Sequence, residues 1–276
     1  MSNSDKINSA LQKAAEKTGA SKDIIDFLKK TASIESASIP DKPNENSNAW
    51  GAWQLMPKTA IETARKYEKQ FPELKGVTGS KGLTLDQQAL ITTLITIEHE
   101  KPLRDCLPTN IDIMHGDRYS AHFSGPGKAV EIIRAAPDTP LSNILSADAM
   151  KQNGIIYNND GSIKSHGIRM KKPDGSTLYF KDFNAGDFRL WSHLKMEQPG
   201  NYEKMSEEER KTWRKSHGIP DSTPEALGSM AIIVGIAVAL ATLVVSLGGI
   251  FSSDDDEGPK PTRTPQGRGR LARGYS

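Results

Sequence analysis

Residues 24–38, IIDFLKKTASIESAS, and residues 49–60, AWGAWQLMPKTA, decide how the rest of this 276-residue chain is read. At about 100° per residue, Ile24, Leu28, Thr31 and Glu35 fall on one narrow helical face, with Ile25 and Ala32 beside it. Ser21 supplies an N-cap and Asp23 a first-turn acid. The helix is predicted to stop near Ser38, because Pro40 disfavours helical geometry at Ile39. An apolar stripe thus ends in a carboxylate. A carboxyl withdrawn from water without a cation has its pKa raised and can hold a proton near neutrality as a general acid. The same position also suits a solvated glutamate at a helix end, and position alone leaves both readings open.

Working outward, residues 1–20 read as a polar, Ser- and Lys-rich lead-in with some helical tendency. A polar loop covers 40–48, helices are predicted over 58–70 and 85–103, and KGVTGSKG at 75–82 is a turn-rich connection between them. Ser124 to Gly127 breaks the chain before a further apolar helix start at Val130, Ile132 and Ile133, and residues 141–150 follow two proline turns. From 152 onward Asn, Asp, Gly, Lys and Ser dominate, with turn dipeptides at Asp160-Gly161, Asp174-Gly175 and Ala185-Gly186. A hairpin strand at 176–180 and a short helix over 189–194 are expected there. The predicted organisation is a lead-in (1–20), a mainly α domain (21–150), a neck or small accessory region (151–225), a membrane helix (226–253) and a disordered charged tail (254–276).

Ile34-Glu35-Ser36, followed by Gly51-Ala52-Trp53-Gln54-Leu55-Met56-Pro57-Lys58-Thr59-Ala60, resembles the soluble lytic transglycosylase family of the lysozyme-like superfamily. That family's pattern is a Glu-Ser pair closing a helix, then Gly-x-x-Gln-x-x-Pro-x-Thr-Ala, and every fixed type is present in order. A third string, Tyr119-Ser120-Ala121-His122-Phe123-Ser124-Gly125-Pro126-Gly127-Lys128-Ala129, stands where the family has Ala-Tyr-Asn-x-Gly. His122 and Phe123 replace the Tyr and Asn, in a form similar to transglycosylase-like proteins of bacteriophage virions. The resemblance covers about residues 20–155. It implies an α+β lysozyme-like fold, a saccharide cleft, and cleavage of the β-1,4 bond between N-acetylmuramic acid and N-acetylglucosamine in peptidoglycan.

In that family one carboxyl makes both proton transfers, so the resemblance implies Glu35 as the catalytic residue. It places Ser36, Gly51, Gln54, Met56, Tyr119, His122 and Gly125 at the substrate, with no metal and no cofactor. Read from their chemistry, Gln54 offers an amide suited to N-acetyl groups and hydroxyls, and Gly51 lets the backbone approach a sugar ring. Trp53 and Phe123 are expected in the core; Trp50 is open between packing and covering a sugar face. Ser36 either serves the scissile region or satisfies the helix end. His122 either bonds Glu35 or the substrate, or is a core histidine. The nearest acids in sequence, Asp41 and Glu45, lie in the polar loop and nominate no second carboxylate, although a hydrolytic muramidase stays open. His99, His115, His166 and His193 have no metal-ligand spacing with one another and read as surface or packing residues.

Lys+Arg exceed Asp+Glu by only 2, which excludes a polybasic nucleic-acid coat, and no specific nucleic acid is expected as a partner. One cysteine, Cys106, excludes an intramolecular disulfide and a four-cysteine zinc site. The stretch 226–253 is charge-free, and at about 1.5 Å per residue it exceeds a hydrocarbon core of roughly 30 Å, so a single-pass membrane helix is predicted. Within it Ala231, Gly235 and Ala239 form a small-residue face. The basic flanks are nearly balanced and fix no orientation. The N-terminus has no apolar signal region. A virion protein delivered to the wall during genome ejection fits these features, with peptidoglycan strands, a membrane and other virion proteins as partners. Two alternatives stay open: a non-catalytic glycan-binding or structural membrane protein of the virion, and a bacterial membrane-anchored transglycosylase.

Overall fold

The computed structural model of the protein describes residues 1–44, 47–107, 109, 111–157, 162–171, 176–197 and 205–219. The predicted membrane span 226–253 and the tail 254–276 lie outside the described residues. Among the described residues no helix is long and apolar enough to cross a membrane.

The fold is mainly helical. Helices α1 (Asn3–Thr18), α2 (Lys22–Ser36), α3 (Pro57–Tyr67), α4 (Leu85–Cys106), α5 (His115–Ser124), α6 (Pro126–Arg134) and α7 (Ala147–Asn153) precede two antiparallel hairpins. These pair β1 (Ile156–Tyr157) with β2 (Ile163–Ser165) and β3 (Arg169–Lys171) with β4 (Thr177–Tyr179). Helices α8 (Ala185–Glu197) and α9 (Glu207–Ser216) follow.

Helix α4 runs through the centre, touching α1, α2, α3, α5 and α6. Its 22 residues reach about 33 Å. The expected polar lead-in is instead the first layer of the core. Ser2 caps α1 by accepting from the Asp5 N–H at 3.1 Å while Asp5 accepts from the Ser2 N–H at 2.9 Å. Ile7, Ala10, Leu11 and Ala14 then recur at helical spacing and are buried against α4 and α2. Serines and lysines on the outer face masked that stripe in the composition.

Helix α2 begins at the expected cap, with Ser21 Oγ accepting from the Ile24 N–H at 3.3 Å. It ends two residues before the expected stop, because Ala37 and Ser38 take left-handed conformations with φ of 53° and 60°. Their N–H groups return to the carbonyls of Ser33 and Ala32, closing the helix end sharply behind Glu35. Between α5 and α6, Gly125 (φ 77°) makes the predicted break and Pro126 starts the new helix.

The described part of the region expected as a neck or small accessory region is built into the core. The α8 residues Phe188, Leu190, Trp191 and Leu194 are buried in one apolar cluster with residues from Ile7 to Ile219. The rings of Phe123, Phe180, Phe188 and Trp191 meet with centroids 5.4–6.3 Å apart, joining α5 to the segment after β4. Residues 176–197 and 205–219 therefore belong to the same core as residues 1–150.

Candidate active site

Glu35 sits in the last turn of α2 at 3% exposure, with its carboxyl turned inward. Oε1 accepts a hydrogen bond of 2.8 Å from Tyr119 Oη, on α5. Oε2 is enclosed and has no hydrogen-bond partner among the described residues. Lys195 Nζ, from α8, donates to Tyr119 Oη at 2.6 Å, with its ammonium 4.8 Å from the Tyr119 ring centroid and 5.1 Å from that of Trp191. Three helices thus converge on one carboxyl group.

Burial pushes the Glu35 pKa above the ordinary carboxylate value; the charges of Lys195 and Lys42 and the Tyr119 hydrogen bond pull the other way and do not cancel it. Tyr119 is raised well above its usual value, first by burial and then by the neighbouring carboxylate. Burial lowers Lys195, partly offset by Glu35. The charges of Lys195 and Lys42 thus act on Glu35, and neither lysine forms a salt bridge with it among the described residues.

His122 does not bond Glu35. Its ring stacks on Tyr119 with centroids 6.1 Å apart and meets Phe27 edge-on at 6.4 Å, while its Nε2 is enclosed without a partner among the described residues. Burial, then the charge of Lys195, brings its pKa down to about 4, and His99 on α4 is lowered to about 4 by burial and by His122. Both are neutral at physiological pH. Tyr119, one turn before His122, supplies the hydroxyl that His122 was a candidate to replace. At 0% exposure Tyr119 touches the carboxyl from behind and presents no surface to a substrate.

Loop 37–56 lies beyond Glu35 and is stapled from below by α4. Gln88, 1% exposed, accepts from the Ala52 N–H at 3.0 Å and donates to the Pro40 and Leu83 carbonyls at 3.2 Å each. Gly51 has φ of 89°, and a Cβ there would stand 2.1 Å from Gln88 Oε1. Its need for glycine therefore comes from Gln88 and from the turn. Gln54 takes φ of 49° and its Nε2 donates to the Gly51 and Lys42 carbonyls at 2.9 and 3.1 Å. Trp50 and Leu55 exchange both backbone hydrogen bonds at 3.0 Å. Trp53, fully buried, donates from Nε1 to the Leu28 carbonyl at 2.8 Å and ties the loop to α2.

Several residues expected at a substrate are thus used internally. Gln54 closes the loop on itself, and Ser36 Oγ donates to the Ala32 carbonyl at 2.9 Å and accepts from the Ile39 N–H at 3.1 Å, serving the helix end. Gly125 shapes the break between α5 and α6. Met56 is half-buried at the start of α3, and Trp50 is half-buried with the Lys81 ammonium 5.6 Å from its ring. Lys195 and Gln88 were missed, because a lysine in HLKME and a glutamine in a polar helix turn carry no signal until the helices are assembled.

Behind this site a polar seam locks α5 to α8. His193 Nε2 lies 3.2 Å from Asp117 Oδ1, both side chains nearly inaccessible, and the Ser120 and Ser192 hydroxyls meet at 2.9 Å. Burial raises the Asp117 pKa, but His193, the Met114 N–H and Arg189 together bring it below the ordinary carboxylate value. A separate cavity of about 670 Å³ opens between Asp23, Glu100, Arg104, His115 and Arg118, and Glu35 does not line it. What the arrangement around Glu35 can do is hold a proton on a dry carboxyl, with Oε2 free of hydrogen-bond partners among the described residues. No protein-family model matches the chain.

Proposed function

We propose that the protein is a peptidoglycan lytic transglycosylase with an α+β lysozyme-like fold, cleaving the β-1,4 bond between N-acetylmuramic acid and N-acetylglucosamine. The observation that carries this reading is the state of Glu35: enclosed at a helix end, raised in pKa by burial, and with one carboxyl oxygen unpartnered among the described residues. It lies in the Glu-Ser, Gly-x-x-Gln-x-x-Pro-x-Thr-Ala arrangement that resembles this family. Glu35 protonates the glycosidic oxygen as the C1–O bond breaks, leaving the N-acetylglucosamine hydroxyl free. The carboxylate then takes the proton of the muramic-acid 6-hydroxyl while O6 bonds to C1, and a 1,6-anhydro ring closes without water. The charges acting on Glu35 come from two lysines, which favours this single-carboxyl route over a two-carboxylate hydrolysis.

The form of the third motif and the apolar stretch 226–253 support a phage virion protein that opens the wall locally during genome ejection, anchored at a membrane. A second reading is favoured by the 3% exposure of Glu35: a lysozyme-like module retained for glycan binding or structure. Incubating the full chain with purified peptidoglycan and weighing the products by mass spectrometry decides between them. Anhydro-ended muropeptides from wild type that disappear in Glu35→Gln are expected. Reducing-end products mean a hydrolase, and intact peptidoglycan with wild type defeats the enzymatic reading.

A further inference from the structure

We propose that Lys195 is a positioning residue for Glu35: acting through Tyr119, it fixes Oε1 as an acceptor and leaves Oε2 as the oxygen that gives and takes the proton. This rests on the reading of Glu35 as the acid, and it concerns a residue outside the span 20–155 that the motif resemblance covers.

An ammonium group has donors and no acceptor, whereas a phenol has one O–H. At 2.6 Å from Lys195 Nζ, Tyr119 Oη must accept, so its single hydrogen is directed to Glu35 Oε1 at 2.8 Å. The polarity of the chain from Lys195 through Tyr119 to Glu35 is then set. Without the lysine, Tyr119 Oη is free to accept from a proton on Oε1, and the acid proton is lost to an oxygen facing away from a reacting group. Oε2, enclosed and unpartnered among the described residues, is where the proton rests. Lys195 is itself held between the Tyr119 and Trp191 rings, and Trp191 is buried in the aromatic cluster. The other charged or titratable groups around the chain are Lys42 from the loop, His122 on α5 beside Lys195, and His99 on α4 beside His122.

The test titrates Glu35 by carbon NMR in the full chain labelled at the glutamate carboxyl, with the signal assigned by its loss in Glu35→Gln. Wild type is compared with Lys195→Met, Lys195→Arg and Tyr119→Phe, and kcat and KM are measured against pH on soluble glycan strands prepared from peptidoglycan. Removing the cation favours the protonated acid, so Lys195→Met is expected to move the Glu35 midpoint and the alkaline limb of kcat to higher pH. Its kcat is expected to fall about 10-fold or more with KM little changed, as for a misplaced reacting group. Lys195→Arg restores most of the activity. Tyr119→Phe breaks the same chain at its middle link, so the double variant with Lys195→Met loses no more than the worse single one. An unmoved Glu35 midpoint in Lys195→Met, or additive losses in the double variant, overturns the proposal. If the midpoint moves as expected while wild type leaves glycan intact, the proposed reaction fails and the coupling of Lys195 to Glu35 stands.

Discussion

Replacing Gly51 by alanine tests whether the loop beside Glu35 is held from α4. A Cβ at this position would lie 2.1 Å from Gln88 Oε1 and 2.7 Å from its Cδ, at a φ of 89°. The backbone conformation costs a residue with a β-carbon about 1 kcal/mol. Gln88 has no route to solvent at 1% exposure, so yielding to the new methyl group breaks its bonds to the Ala52 N–H and to the Pro40 and Leu83 carbonyls. At about 1 kcal/mol per buried bond, their loss brings the total to about 4 kcal/mol, a large share of the roughly 5–15 kcal/mol that stabilises a domain. Urea unfolding followed by tryptophan fluorescence reads the cost, with buried Trp53 as the reporter. The decisive comparison is the cycle with Gln88→Ala. That change alone costs about 3 kcal/mol, but the bonds can be lost only once, so the double variant should cost about 4 kcal/mol and not about 7. Additive costs, or a Gly51→Ala penalty below about 1 kcal/mol, refute the reasoning.

Gly116→Ala drives a methyl group into α8, 2.3 Å from His193 Cγ and 2.6 Å from its Cα. Since a backbone atom cannot step aside alone, a loss of about 2–3 kcal/mol in urea unfolding is expected, accompanied by lower activity because Tyr119 and Lys195 share that seam. His99 and His122, lowered from 6.5 to about 4, bind protons more weakly when folded than when unfolded. Their contribution is complete above pH 6.5 and is lost as pH falls towards 4, by an amount on the order of 1–3 kcal/mol each. His122→Phe should flatten the stability profile in that window, and a profile as steep as wild type contradicts the assignment. Glu35 has the opposite sign. Its raised pKa stabilises the fold below the ordinary carboxyl value, relative to higher pH, and this is lost as pH rises through the folded value. Glu35→Gln is therefore expected to be more stable than wild type at pH 8 and no more stable at pH 4; equal stability at both would show that the carboxyl is not held in a dry site.

How much of this was legible beforehand depends on whether polar residues lay outside or inside the fold. Helix α2 was readable because its apolar face is continuous and Ser21 and Asp23 mark its start. The break at Gly125 was readable because glycine and proline do there what their geometry requires. Helix α1 showed only as a helical tendency in a polar lead-in, because serine and lysine fill its outer face and two of its four buried residues are alanines. Helix α8 was legible in part: the short helix expected over 189–194 lies inside Ala185–Glu197, but its burial left no mark in the sequence. Asp187, Arg189, Ser192 and His193 are all buried, so hydropathy counts them as exposed surface. What makes their burial tolerable lies far away in sequence: Asp117 against His193, Ser120 against Ser192, and the Gly218 carbonyl, which accepts from Arg189 at 2.6 Å. The first two pairings span more than seventy positions and the third 29, so none leaves a periodic trace in either segment.

The same distinction explains the site. Motif spacing pointed to Glu35 and to the loop carrying Gly51 and Gln54, since both lie within short stretches of chain. It assigned Gln54, Ser36 and Tyr119 to the substrate because polar residues beside a candidate acid invite that reading, whereas their hydrogen bonds build the enclosure. An acid useful near neutral pH needs two opposed influences: burial to raise its pKa, and enough nearby donor and cation character that the carboxylate formed after proton release is not prohibitive. The local sequence supplies the first through Ile24, Leu28 and Thr31 on the face of α2. The second comes from Tyr119 and Lys195, 84 and 160 residues further along the chain. Lys195 reaches Tyr119 only because α8 is packed into the core, so the stretch that composition separates as a neck is the one that completes the environment of Glu35. A version of this chain truncated after residue 150 would keep every motif residue and Lys42 but lose Lys195. Such a protein gives up part of the burial that raises the Glu35 pKa together with the Lys195 charge that lowers it, so neither of the two opposed influences is complete without α8.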